Sequence, residues 1–421
     1  MVEADERSVD DGGVAIETGD TQAPLPERRT ETSEPLERLL VGADSETSPV
    51  VSVVMPTMNE EAGIGICIDW IEDAILELGL PTEIIVSDSS SDRTPEIARE
   101  RGAIVVEPDE PGYGYAYQYA FRRARGDYIV MGDADTTYDF SQIPRLLEHL
   151  HEEGVDIVMG SRLGGEIKPG AMPALHQFVG NPALTKFLNA FYDAGVTDAH
   201  SGFRVFRRDV LDRIDLESVG MEFASEMVMK AGANSLTISE VPITYHEREG
   251  EATLESFRDG WRHVRFMLVN APGYLFSIPA VSFGVVGVSM LAMSLVSVQF
   301  LDIFFGAHTA IVGSLLTIIG FQIGTLALFS AVTADPIQAP EDRVTLWIHE
   351  NVHLEHGITV GFGLFVLGVG YLVATAVNWF AAGGDILPLI VPNMITFTAV
   401  VVGVQAVFSS FFLNMIADDY G

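Results

Sequence analysis

From Val50 onward, short runs of Val and Ile alternate with longer segments of helical period. "VVSVVMP", "EIIVSD", "GAIVVEP", "DYIVMGD" and "VDIVMGSR" are separated by stretches such as "EEAGIGICIDWIEDAILELG" and "RTPEIARERG", whose apolar residues recur at helical spacing. Runs of this length and β-branched content predict strands. Their alternation with helices predicts an α/β domain over residues 49–254, with a mostly parallel sheet covered on both faces. Ligands of such sheets bind beyond the carboxyl ends of the strands, and the distinctive polar residues of this chain fall there.

Further along, the pattern turns uniformly apolar. Residues 275–300, 303–334, 357–384 and 386–417 contain no acidic or basic residue apart from His308. Each exceeds the roughly 20 residues needed to cross a hydrocarbon core of about 30 Å. They predict an all-α transmembrane domain of four helices over residues 274–417. Between the two domains, residues 255–273 include "ESFRDGWRHVRFML", a helix-period segment with Arg258, Arg262 and Arg265. It reads as an amphipathic juxtamembrane helix, its arginines near lipid phosphates, with a plain connector helix as the alternative. Arginines ahead of the first span also favour a cytoplasmic catalytic domain and C-terminus in a multi-pass protein of the cell membrane. Residues 1–48 hold thirteen acids against four arginines and almost no apolar periodicity, so an acidic disordered leader is expected there.

Charge narrows the picture. The 421 residues carry 59 Asp and Glu against 24 Lys and Arg, a formal net charge of −35, and only Lys168, Lys186 and Lys230 are lysines. Such a surface repels nucleic acid, which is not an expected partner. It suits a cytoplasm of very high salt, where the Debye length falls to about 3 Å at 1 M and self-repulsion is muted. Cys67 is the single cysteine, which excludes an intrachain disulfide and a thiolate zinc cluster, and its apolar setting predicts a small buried residue.

The candidate chemistry sits at the predicted strand ends. "GDAD" places Asp133 and Asp135 where a buried strand leaves the sheet, with small Ala134 between them. Two hard oxygen ligands there suit Mg2+ or Mn2+, which also accept diphosphate oxygens. "PTMNEE" follows the first strand and "SDSSSDRT" the second, leaving Asp88 able to accept hydrogen bonds from a base or ribose. "GSRL" leaves Arg162 as a planar cation for phosphate, and "DAHSGFR" adds Asp198, His200, Ser201 and Arg204. Glu222 and Glu226 in "GMEFASEMVMKAG" lie one helical turn apart, as on a solvated acidic face.

Taken in order and spacing, "PTMNE", "DSSSD", "GDAD", "GSR" and "DAHSGFR" resemble the family 2 glycosyltransferases of the dolichol-phosphate mannose and glucose synthase group, over residues 50–266. "GEIKPGAMPALHQFVGNP" is similar to a bacterial and archaeal branch of polyprenyl-phosphate glycosyltransferases. The resemblance implies a GT-A fold, a Rossmann-like and mostly parallel sheet. It also implies a nucleotide-sugar donor, a divalent metal and inversion of the anomeric centre. Carried onto this chain, Pro56, Met58, Glu60 and Asp88 would line the nucleoside, with Ala134 letting the phosphates approach. Asp133 and Asp135 would hold the metal on the diphosphate. Arg162, Ser201 and Arg204 would face the phosphates, Ser201 and Arg204 on the acceptor side, with Asp198 orienting their loop. Asp133, Asp135, Arg162 and Arg204 would carry the reaction. Two positions depart from the family pattern: Thr137 stands where relatives often supply Gln to the metal site, and the acceptor-phosphate base is replaced near His176 and Gln177.

The expected activity is therefore transfer of a hexose, with UDP-glucose as the donor suggested by the branch, to a polyprenyl or dolichyl phosphate, for protein glycosylation or other glycan assembly. A processive polysaccharide synthase is the first rival, but Gln-x-x-Arg-Trp, common in such enzymes, is absent. A non-catalytic nucleotide-binding membrane scaffold is the second. A second copy of the chain, in a homo-oligomer, is the one protein partner considered.

Overall fold

The computed structural model describes residues 36–192, 194–249, 256–296, 299–300, 303–333, 337, 354–383 and 390–420. The five predicted runs form β1 (Val51–Thr57), β2 (Thr82–Asp88), β3 (Ile104–Val106), β4 (Tyr128–Met131) and β5 (Ile157–Ile167). Two more strands, β6 (Arg204–Arg207) and β7 (Ile238–Tyr245), complete a sheet of order β3-β2-β1-β4-β6-β5-β7. Only β6 is antiparallel to its neighbours in this sheet, so the sheet is mostly parallel, as expected. A four-residue strand reading Arg-Val-Phe-Arg leaves no apolar run for sequence periodicity to detect.

Around the sheet pack α1 (Leu36–Leu39), α2 (Ile64–Leu78), α3 (Thr94–Glu100), α4 (Tyr113–Phe121), α5 (Ile143–Glu153), α6 (Asn181–Tyr192), α7 (Val210–Ile214) and α8 (Phe223–Ala233). Strand side chains alternate between two cores. Val53 and Met55 join Ile68 and Ile71 of α2 and Leu146 of α5, whereas Val54 and Met131 join Tyr117 of α4 and Met227 of α8. Burial on both faces explains why these strands read as continuous apolar runs. Cys67 lies in the first core, as expected, and burial pushes its thiol up to about 12.

Residues 36–41, inside the leader expected over residues 1–48, pack onto the domain. Residues 1–35 lie outside the described residues, but Leu36–Leu39 forms a helical turn, Leu39 and Val41 are buried, and Leu40 bridges Thr82. A short apolar patch, Leu39 to Val41, suffices to seal the start of β2 despite the acidic text around it. Close by, the wholly buried Glu83 accepts from Ser52 Oγ at 2.6 Å, Arg125 N at 2.7 Å and Arg125 Nε at 2.8 Å.

After the sheet, α9 (Ser256–Val269) leads to α10 (Ile278–Leu295), α11 (Ala307–Thr333), α12 (Leu354–Ala381) and α13 (Ile390–Tyr420). The last four are long and apolar enough to cross a membrane. Glycines let them approach closely. A Cβ on Gly287 would lie 2.5 Å from Thr317 N, and one on Gly361 would lie 2.7 Å from Gly403 O. Ser314 accepts from Thr398 Oγ1 at 2.6 Å, tying α11 to α13. Helix α9 is docked as well as amphipathic. Its Met267 is buried in the second core and accepts from Tyr192 Oη at 2.9 Å, while Trp261 and Val269 remain exposed.

Removing Glu83 would leave Ser52 and the partly exposed Arg125 without their shared acceptor. Glu83→Ala is expected to cost about 2–4 kcal/mol, read as a lower thermal midpoint of the full chain, with the far-ultraviolet spectrum unchanged at room temperature.

Candidate active site

The carboxyl ends of β1, β2, β4 and β7 converge on one edge. Beyond β1, Met58 is 70 % exposed and Asn59 adopts a left-handed φ of 63°. Asn59 N donates to Ser90 Oγ at 2.8 Å and Glu60 N to Thr94 Oγ1 at 2.9 Å, so this turn is laced to the one after β2. Asp88, at the end of β2, accepts from Thr57 Oγ1 at 2.7 Å and Ser90 Oγ at 2.6 Å. Pro56 lies within β1 itself, half-buried.

At the end of β4 the chain turns sharply. Thr136 has a φ of 65°, a conformation costly for a β-branched residue and of the kind that collects at functional sites. The two carboxylates just before it are held differently. Asp133 accepts from Tyr113 Oη at 2.8 Å and Tyr117 Oη at 3.3 Å. Asp135 accepts from Thr137 N at 3.1 Å and Thr137 Oγ1 at 2.6 Å. Thr137, where relatives often have Gln, is thus engaged in fixing Asp135. Burial, then the charge of Asp135, pushes the Asp133 carboxyl up to about 6.

Arg248, just past β7, completes the cluster. Its Nη2 lies 2.5 Å from Glu60 and its Nη1 3.5 Å from Asp135. Burial lifts Glu60 to about 7, with Arg248 only partly offsetting it. Backbone bonds from His246 N to Thr137 O and Glu249 N to Asp135 O clip the β7 loop onto the β4 turn. Among the described residues no group of three His, Cys, Asp or Glu could hold a metal alone. Asp133 and Asp135 fit the part of a dication's shell that carboxylates supply, because their mutual repulsion raises the affinity for positive charge.

The remaining expected residues are deeper than the sequence suggests. Arg162 is gripped by Asp198: its N and Nε donate to Oδ2 at 2.9 and 2.8 Å, and Nη2 to Oδ1 at 2.7 Å. Burial acts to raise the Asp198 carboxyl, but Arg162 outweighs it and holds it below the ordinary range. Asp198 thus ties its own loop to Arg162 of β5. Ser201 and Arg204, expected to face the acceptor phosphate, are instead wholly buried. Ser201 Oγ donates to Gly160 O at 2.5 Å, and Arg204 donates to the carbonyls of Ser201, Ala199 and Ala224 at 3.0, 3.2 and 2.8 Å. The reason is topological, since Arg204 opens β6, an interior strand paired on both sides. Burial lowers its guanidinium to about 10. Glu226 is also not on a solvated face. It is 2 % exposed and accepts from the backbone N–H groups of Glu217 and Ser218 at 2.9 and 2.8 Å.

Sequence reasoning missed Arg248, Tyr113 and Tyr117. The signal for Arg248 was the charged "HERE" run after an alternating segment, and the tyrosines sit at helical spacing in "PGYGYAY". Neither reveals its partner across about 20 or 110 residues of chain without the fold. Because Arg204 holds three carbonyls, Arg204→Ala is expected to destabilise the protein by about 3–5 kcal/mol. Thermal unfolding should show this loss, whereas Asp135→Ala should leave the midpoint within a few degrees of the parent.

Comparisons with known proteins fit this architecture. Residues 52–215 match the family described as "Glycosyl transferase family 2", and residues 332–417 match "Glycosyltransferase family 2 C-terminal transmembrane region". The low-salt glycan biosynthesis hexosyltransferase Agl6 of Haloferax volcanii is 54 % identical over 91 % of this chain and 92 % of its own length. A dolichyl-phosphate hexose transferase from the same organism is 37 % identical over 50 % of this chain and 89 % of its own. The dolichol-phosphate mannosyltransferase of Pyrococcus furiosus is 31 % identical over 57 % of this chain and 68 % of its own. With a sheet of GT-A type, the carboxylate pair at the end of β4 and four apolar helices after it, this chain belongs to glycosyltransferase family 2 and is a membrane enzyme.

Proposed function

We propose that this chain transfers a hexose from a nucleotide-sugar, UDP-glucose, to a polyprenyl phosphate of the dolichyl kind at the cytoplasmic membrane face, with inversion. The observation that carries this reading is the Asp133–Asp135 pair with Arg248 beside it, on a domain that runs through α9 into membrane helices. Two relatives are named for dolichyl or dolichol phosphate, which supports a lipid acceptor. Glucose as the sugar rests on the branch resemblance. Arg258, Arg262 and Arg265 ahead of the first span support a cytoplasmic site. Apolar surface beside the domain fits a bilayer: Leu175, Phe178 and Val179 are exposed before α6, which packs on α9 with its exposed Trp261.

In this reading an oxygen of the acceptor phosphate attacks the anomeric carbon. The bond from that carbon to the diphosphate oxygen breaks, and the nucleoside diphosphate leaves with the electron pair. A phosphate monoester with its second ionisation near about 6 is largely dianionic at neutral pH, so no side chain has to take a proton. Asp133 and Asp135 would hold Mg2+ or Mn2+, which offsets charge growing on the leaving group when bound. Tyr113 and Tyr117 fix the first carboxylate and Thr137 the second. Arg248 has an Nε without a partner among the described residues and is placed to turn from the carboxylates to a diphosphate. Asp88, Pro56, Met58 and Glu60 line the nucleoside, small Ala134 lets the phosphates close, and Arg162 adds its charge beneath them.

The direct test supplies labelled UDP- and GDP-sugars to membranes bearing the full chain in molar salt with Mg2+ or Mn2+. A mild-acid-labile lipid labelled from UDP-glucose, and lost in Asp135→Ala, is the expected outcome. Label only in polymer, or in no product at all, would overturn the reading.

A pH dependence follows from the raised carboxyl of Asp133. Its proton is held until about 6, so dication binding strengthens as pH rises through that value and weakens below it. Without a dication the sign is opposite: the folded state binds the proton more tightly than the unfolded chain, so this group's contribution to stability falls as pH rises from the ordinary carboxylate range to about 6. Thermal unfolding should therefore show a larger midpoint rise on adding Mn2+ at pH 8 than at pH 5, and Asp133→Asn should remove the difference.

A further inference from the structure

His200 has no role in the site as described, and its setting is unusual. Neither ring nitrogen has a hydrogen-bond partner among the described residues, and both are buried. Burial, then neighbouring His263, pushes the ring down to about 3, so it is a neutral imidazole. A buried polar group left unpaired costs about 1–3 kcal/mol, a cost that an apolar residue of similar size would avoid.

The loop around it touches two residues of the site. Asp198, two residues before, holds Arg162. Gly202, two residues after, packs against Asp133, where a Cβ would lie 3.1 Å from Oδ2. Arg204 Nη1 is likewise a buried donor without a partner among the described residues. Two side chains with unpaired donors thus lie on one five-residue stretch, and the charge of Arg204 acts on the His200 ring.

The other side of His200 meets the juxtamembrane helix. Its ring packs edge-to-face on His263 of α9, with centroids 4.9 Å apart and an interplanar angle of 82°. His263 Nδ1 is in turn 3.0 Å from Ser225 Oγ on α8. Arg262 of α9 adds an ion pair at 3.4 Å to Glu222. The helix that leads to the first span thus packs directly against the imidazole.

We propose that His200 is a binding residue for the phosphate monoester of the acceptor, held toward it by His263, a positioning residue on the juxtamembrane helix. This rests on the reading of the chain as a transferase to a phosphate monoester. His200 donates one ring N–H to a phosphate oxygen, and the positive charge of Arg204, buried in the same stretch, favours the anion. Displacement of α9 loosens His200, so recognition of the acceptor depends on the segment that brings the chain to the membrane.

The test uses the full chain in membranes or detergent. Acceptor KM and donor KM are measured with a polyprenyl phosphate and with a water-soluble short-chain prenyl phosphate, and binding of the latter is followed by calorimetry without donor. His200→Ala should raise KM for both acceptors by about tenfold, weaken calorimetric binding equally and leave donor KM unchanged. His200→Asn, which keeps a donor, should recover part of the loss. His263→Ala should raise acceptor KM, and His263→Phe, which keeps an aromatic ring there, should restore it. Loss of kcat with acceptor KM unchanged, or unaltered binding in His200→Ala, would overturn the proposal. Calorimetric binding weakened by His200→Ala in a chain that transfers no sugar would retain this inference while removing the transferase reading. Absence of binding in the parent protein would remove the inference.

Discussion

Repulsion between two carboxylates one residue apart at the end of a buried strand is the constraint around which this domain is built. Asp133 and Asp135 would separate or protonate if left alone. Tyrosine hydroxyls hold the first, a threonine clamp holds the second, and a left-handed Thr136 turns the chain immediately after them. Arg248 arrives from the last strand to offset the charge, and it shares itself with Glu60 from the first. Loops of β1, β4 and β7 are therefore tied electrostatically as well as through the sheet. The raised carboxyls of Asp133 and Glu60 are the residue of repulsion and burial that these contacts do not cancel.

The antiparallel strand β6 does a second job. Placed between β4 and β5, it carries the loop 198–203 under the carboxylate edge and buries Arg204 among carbonyls. Arg162 is bound to Asp198 in the same layer. Cations that a motif reading puts on the surface thus form a fixed positive foundation below the site. Buried charge of this kind is costly unless bonded, and here Arg162 is bonded to Asp198 and Arg204 to three carbonyls. Unpaired donors on His200, Arg204 and Arg248 mark where the protein leaves hydrogen-bonding capacity free.

Membrane attachment and the site share structure through α9. One face of this helix enters the second core through Met267, its flank carries the His263 contact, and its opposite side exposes Trp261 and Val269. An amphipathic helix can satisfy both a protein and an interface because its two faces are chemically distinct. Here the protein-facing side reaches the loop that supports the carboxylate edge.

Periodicity alone determined the α/β domain and the four spans, since a strand buried on both faces and a helix long enough to cross a bilayer each require uninterrupted apolar text. Local text also sufficed to put two acids just beyond the end of a buried strand, because an apolar run that breaks at Gly132 must leave the sheet there. The order of the strands, the antiparallel β6 and the docking of residues 36–41 were decided only by tertiary packing. So were the partners of each charge. Arg248 meets Asp135 across 113 residues and Arg204 is enclosed by three carbonyls, because long-range pairing depends on which strand ends are brought together, and composition carries no record of that.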